Sequence, residues 1–126
     1  LTRFGGAIVK RPFFGLIGGD SSLVVPLTEA FRAEKDPGVR IFLLEVLWQQ
    51  RDFAAIRVLA AALNDSDARI WKEALNGLVA LPSAESIAAL KEARQRAFDS
   101  DDEKRQFLVW LEEATDQAEA AMAGNQ

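Results

Sequence analysis

The stretch Asp36-Pro37-Gly38-Val39-Arg40-Ile41-Phe42-Leu43-Leu44-Glu45-Val46-Leu47-Trp48 returns in altered form as Asp67-Ala68-Arg69-Ile70-Trp71-Lys72-Glu73-Ala74-Leu75-Asn76-Gly77-Leu78-Val79. A shift of 31 places Asp36 on Asp67, Val39 on Ile70, Leu43 on Ala74, Leu44 on Leu75 and Leu47 on Leu78. A further shift of 33 brings Phe107, Leu108 and Leu111 to the same apolar positions. Periodicity on this scale is the signature of stacked helical units, and it decides the fold before any local reading does.

The segments between these copies repeat as well. Val24-Val25-Pro26-Leu27 with Phe31 aligns with Ile56-Arg57-Val58-Leu59 and Leu63, and Ile87-Ala88-Ala89-Leu90 is the next copy. Polar residues suited to cap a helix stand before them, at Asp20, Asp52 and Ser83, with Asp116 at the corresponding place further on. Within each unit the apolar positions follow a helical period: 39, 42, 43, 46 and 47 in one, 70, 74, 75, 78 and 81 in the next. Breakers separate the runs at Gly18-Gly19, Asp36-Pro37-Gly38, Asn64-Asp65-Ser66-Asp67, Pro82-Ser83 and Asp99-Ser100-Asp101-Asp102.

The pattern predicts outer helices at about 21–33, 52–63 and 84–97, and inner helices at about 38–49, 68–81 and 102–119. A damaged inner-type helix, interrupted near Pro12, is expected over about 4–17. No segment alternates with period two, so no sheet is expected. The fold class is therefore all-α: an α-solenoid of about three stacked antiparallel helix pairs. Its parts are an N-terminal partial repeat or cap over 1–19, a repeat domain over 20–119, and a frayed tail over 120–126. The second apolar stripe of helix 38–49 (Ile41, Leu44, Trp48) predicts a helix buried on most sides. The alanines at 54, 55 and 60–62 predict close helix approach.

Composition narrows the chemistry. At 126 residues with 49% hydrophobic and 27% charged side chains, the chain can bury a core of its own. Cysteine, histidine and tyrosine are absent. This removes thiol nucleophiles, disulfides, Cys/His zinc sites and every catalytic triad that relies on histidine. No catalytic residue, metal or cofactor is expected. The net charge of −4 is divided unevenly, +2 over residues 1–60 and −6 over 61–126. An acidic chain is a poor general ligand for nucleic acid, and its acidic half is suited to steering a basic partner. The sequence lacks an apolar run long enough to span a membrane. It also lacks a signal-peptide layout at Leu1-Thr2-Arg3-Phe4-Gly5-Gly6, and the absence of cysteine is compatible with the cytoplasm, the expected location. The start without Met is compatible with a piece of a longer chain or a processed product.

Aligned in this way, the units resemble HEAT-like repeats, specifically the short type named after the phycobilisome lyases. Those resemble a consensus of an Asp-Pro-x-Val-Arg start, an apolar helix, a Gly-rich turn and an Asp before the next helix; Asp36-Pro37-Gly38-Val39-Arg40 matches the start closely, and Gly15-Leu16-Ile17-Gly18-Gly19-Asp20 with Val25-Pro26-Leu27 matches the turn and next helix with one extra Gly. Later copies depart: Trp71 stands in place of the Arg, Gln49-Gln50-Arg51-Asp52 in place of the Gly turn, and Glu103-Lys104 in place of Val-Arg. The resemblance implies a protein-binding scaffold whose second helices line a concave face. A minority of that superfamily are chromophore lyase subunits or DNA-repair glycosylases.

Three tryptophans, Trp48, Trp71 and Trp110, fall on predicted inner helices. On an open face they are natural binding anchors; on a closed one they fill gaps between repeats. Together with Lys72, Asn76 and Arg105 they form the candidate partner-binding set. Trp71 leads it, and its replacement by Ala is expected to weaken binding while the helical signal stays nearly unchanged. Arg40 is expected to pair with an inter-repeat carboxylate such as Asp67 or Asp36. The carboxylates Asp101-Asp102-Glu103 read as the charge favoured at a helix start. The apolar residues of the N-terminal segment (Phe4, Ile8, Val9, Phe13, Phe14, Leu16, Ile17) predict either a cap on the stack or a docking surface, including one for a second copy of the chain. The leading functional reading is thus a non-catalytic module that binds another protein through its inner helices. A bilin lyase-like subunit is the alternative, thinned by the missing His and Tyr, and a DNA-repair role is disfavoured by the acidic balance.

Overall fold

The computed structural model describes residues 22–124. Six α-helices lie among them: α1 (Val24–Ala33), α2 (Pro37–Gln49), α3 (Ile56–Ala62), α4 (Ala68–Ala80), α5 (Ala84–Glu92) and α6 (Asp101–Gly124). Short 3₁₀ turns at Phe53–Ala55 and Ala93–Gln95 precede α3 and follow α5. There is no strand among the described residues. The helices pair as α1/α2, α3/α4 and α5/α6. The second members, α2, α4 and α6, pack on one another in order as an inner layer behind α1, α3 and α5.

Local chemistry sets the starts. Asp36 accepts from the backbone N–H of Gly38 (2.8 Å) and Val39 (3.2 Å), with Pro37 in the first helical turn where its missing N–H costs nothing. Asp67 accepts from Arg69 N–H at 2.9 Å, and the Arg69 guanidinium beside it holds the Asp67 carboxyl below the usual range. Asp52 accepts from Ala54 N–H at 2.9 Å. Ser83 and Ser86 exchange bonds as a capping box, Ser86 N–H to Ser83 Oγ at 3.0 Å and Ser83 N–H to Ser86 Oγ at 2.9 Å. Ser100 accepts from the N–H groups of Asp102 and Glu103, which leaves Asp101, Asp102 and Glu103 in the first turn of α6.

The expected boundaries shift at the start of the first helix and at the end of the last. The helix α1 begins at Val24, after Ser22, whose Oγ accepts from Val24 N–H at 3.1 Å. The expected cap Asp20 lies outside the described residues. Asp116 caps nothing; it stands inside α6, which passes position 119 and continues to Gly124 because Ala114 and Ala118 are buried against the stack. In the turn between α2 and the 3₁₀ segment before α3, Arg51 adopts φ 59°, the left-handed conformation that glycine takes without a Cβ clash.

One continuous core runs through the stack. Leu44 and Leu47 of α2, Ile70, Leu75 and Leu78 of α4, and Phe107 and Leu111 of α6 are fully buried, and Ile56, Leu59, Leu63, Leu81 and Leu90 close the outer side. Each such side chain contributes about 1.5–3 kcal/mol by leaving water. The repeat register therefore reproduces itself as burial. A close approach comes at Gly77 of α4: a Cβ there would meet Leu59 Cδ1 of α3 at 2.8 Å and Trp48 Cδ1 of α2 at 2.9 Å. Of the α3-segment alanines, Ala55 and Ala62 are buried while Ala54 and Ala61 face water. Nor is α2 covered on most sides: Val39 and Phe42 are exposed, Phe42 by 59%.

Candidate inner-face site

The inner layer carries two polar clusters, both centred on α4. The first lies between α2 and α4. Trp48 fills the space beside Gly77, and its indole Nε1 donates to Glu73 Oε2 at 2.8 Å. Asn76, one turn on, donates through Nδ2 to Glu73 Oε1 at 3.3 Å. Burial pushes the Glu73 carboxyl above its usual range; the two donated bonds pull the other way, and the neighbouring charge of Glu45 adds to the rise. Asn76 Oδ1 is buried and has no hydrogen-bond partner. The cluster is thus rich in acceptors and short of donors. A buried acceptor left unpaired costs about 1–3 kcal/mol.

The second cluster lies between α4 and α6. Trp71 meets Phe107 edge-on with ring centroids 4.9 Å apart, and Trp110 edge-on at 6.3 Å. Lys72 Nζ sits 4.5 Å from the Trp110 ring centroid and 5.8 Å from that of Trp71. A cation over an indole face is held by the ring quadrupole while its ammonium stays hydrated.

The candidate set from the sequence divides accordingly. Trp48 and Trp71 are buried, exposed by only 7% and 4%, so both fill gaps between repeats rather than standing open as anchors. Trp110 and Lys72 are half-buried and share one contact. Asn76 is half-buried beside Glu73. Arg105 is exposed and pairs with Asp102 on its own helix. Sequence reasoning did not single out Glu73 or Glu45. The signal for Glu73 was present: it falls on the repeat position of Phe42, a charge where the first copy is apolar.

At the loop edge of the stack, Arg40 pairs with an inter-repeat carboxylate as expected, though with neither of the two residues named for it. Its partner is Asp65 (Nη1 to Oδ2, 3.0 Å), not Asp67 or Asp36, and its guanidinium lies 4.4 Å from the Phe31 ring centroid. Asp67 and Asp36 are already engaged as caps. This pair lines a shallow cleft of about 250 Å³ between the first two helix pairs. One repeat further, Arg96 donates to the Leu63 carbonyl at 2.6 Å and covers Phe98 at 4.3 Å. Both arginines tie neighbouring pairs together. Among the described residues no group of three or more Asp or Glu is gathered closely enough to hold a metal ion, and no helix is long and apolar enough to cross a membrane.

A family model described as HEAT repeats matches residues 24–107. It does not distinguish the lyase type from other HEAT repeats. No curated protein and no solved structure matches the chain.

Proposed function

The chain belongs to the HEAT-repeat family, whose repeats commonly serve as protein-interaction modules, and on that premise we propose that it is a non-catalytic module holding a partner protein against its inner helices. The partner segment carries Lys or Arg. The observation that supports this reading is the pair of carboxylates Glu45 and Glu73 on facing inner helices, since a cationic N–H donor would relieve their like-charge crowding. Lys72 on Trp110 forms the rim on the α6 side. Stacked helices present a preformed surface, so little ordering entropy is lost on docking.

The test is affinity capture from a lysate of the source cells, with the Glu45→Gln/Glu73→Gln double variant and an outer-face Glu85→Gln variant as controls. Gln retains an acceptor for the Trp48 indole while removing the charge. A protein retained by wild type and Glu85→Gln, lost by the double variant and weakened by salt, is the expected result. A partner retained equally by all three would move the site off this face.

A further inference from the structure

The cleft between the first two helix pairs combines an apolar lining with a surplus of hydrogen-bond donors. Its buried residues, Phe31 of α1 and Val58 and Ala62 of α3, are apolar, and its less buried ones include Arg32, Arg40 and Asp65. The carboxylate among them is fully engaged. Asp65 Oδ2 accepts from Arg40 Nη1 at 3.0 Å, and Asp65 Oδ1 accepts from the Asp67 N–H at 2.9 Å. The guanidiniums are not. Among the described residues Arg40 donates through Nη1 alone, and the Arg32 guanidinium donates to none. Two guanidiniums against one carboxylate also leave the lining with one positive charge in excess, on a chain of net charge −4. Free guanidinium donors over an apolar lining suit a ligand with a carboxylate head and a short apolar body.

We propose that this cleft takes the C-terminal residue of a partner peptide, with its carboxylate on Arg32 and Arg40 and its apolar side chain on Phe31, Val58 and Ala62. A chain terminus unites both features in one residue, whereas an Asp or Glu side chain brings the charge without the apolar body. The size agrees. At about 250 Å³ the cleft is smaller than the roughly 300–1,000 Å³ of sites that enclose a whole small molecule, and one residue fills it. Arg40 is held in place beforehand by its bond to Asp65 and by the Phe31 ring, 4.4 Å from its guanidinium, so docking costs it little freedom. Arg32, in the last turn of α1, is exposed and able to turn to the arriving carboxylate. This inference is independent of the inner-face reading: the cleft lies at the loop edge and selects an anion, whereas the inner face selects a cation.

The test is an NMR titration of the full, isotope-labelled chain with the peptide acetyl-Gly-Gly-Leu bearing a free C-terminus. The backbone amides of Arg32, Ala61 and Asn64 are expected to shift and to saturate together. Affinity is expected to fall about tenfold for the C-terminal amide of the same peptide, and about tenfold for the free acid on an Arg32→Gln variant, the worth of one charge-assisted bond. Arg32 is exposed, so the variant keeps the wild-type spectrum away from the cleft. A peptide ending in Gly instead of Leu is expected to bind several-fold more weakly. Absence of saturable shifts at these amides with millimolar peptide would overturn the proposal. So would equal affinity for the acid and the amide, or unchanged affinity in Arg32→Gln. Equal binding of an amidated acetyl-Gly-Glu-Leu would assign the carboxylate to a side chain and overturn it as well.

Discussion

The Trp48 indole donates to the Glu73 carboxylate across the α2–α4 interface at 2.8 Å, directly beside Gly77. One contact thereby joins two consecutive repeats, fixes the ring that Gly77 must accommodate, and holds a partly desolvated charge on the inner face.

Gly77→Ala tests the close approach. Ala is the better helix former by about 1 kcal/mol. Its Cβ, however, would press on both Leu59 methyls and on a Trp48 ring that its bond to Glu73 holds in place. Overpacking of this kind costs about 1–3 kcal/mol. Thermal unfolding is expected at a lower temperature than wild type. Gly124→Ala, with no atom within 4 Å, is the control and leaves the midpoint unchanged or slightly raised.

Arg51→Gly tests the turn between the first two pairs. An L side chain at φ 59° carries a Cβ penalty of about 1 kcal/mol that glycine lacks. The exposed Arg51 side chain makes no compensating burial. Urea denaturation is expected to show a gain of up to about 1 kcal/mol. A loss of stability would mean that the greater freedom of glycine in the unfolded chain outweighs the relief.

Glu73 sets a pH dependence. Burial, the largest cause, raises its folded-state value above the 4.5 of an exposed Glu. The folded chain then binds more protons than the unfolded one between those two values. Stability is therefore highest at and below the unfolded value and falls as pH rises through the window. Glu73→Gln removes this component. Melting followed against pH should show a shallower decline for Glu73→Gln than for wild type, and a higher midpoint for the variant at neutral pH.

Trp71→Ala should reach well beyond binding. With the ring buried against Phe107 and Trp110, its removal opens a cavity costing about 3–5 kcal/mol, a large share of a typical domain's stability. Circular dichroism on heating is expected to show an earlier loss of helix. This replaces the sequence expectation that the helical signal would stay nearly unchanged. Lys72→Ala, which removes a half-exposed ammonium from the Trp110 face, is expected to leave the melt close to wild type.

The sequence by itself determined the repeat, its register of 31 to 33 residues, the helical class and the caps at Asp52 and Ser83. These are local quantities: a helical apolar period and an Asp or Ser before it act on neighbouring backbone groups whatever the rest of the chain does. Asp52 and Ser83 cap where they were expected to, and Asp36 and Asp67, read from the sequence only as parts of the breaks between helices, cap as well. Asp116 does not, because burial of Ala114 and Ala118 against the stack carries α6 past it. Tertiary structure alone decided which faces close. Trp48 and Trp71 turn inward because consecutive inner helices pack there, Arg40 finds Asp65 because the loop between α3 and α4 is brought to it, and Phe42 stays exposed while Glu73, in the same register, is covered by α2. The repeat makes such positions equivalent along the chain, but stacking makes them unequal in space, since an end pair has one neighbour and a middle pair has two.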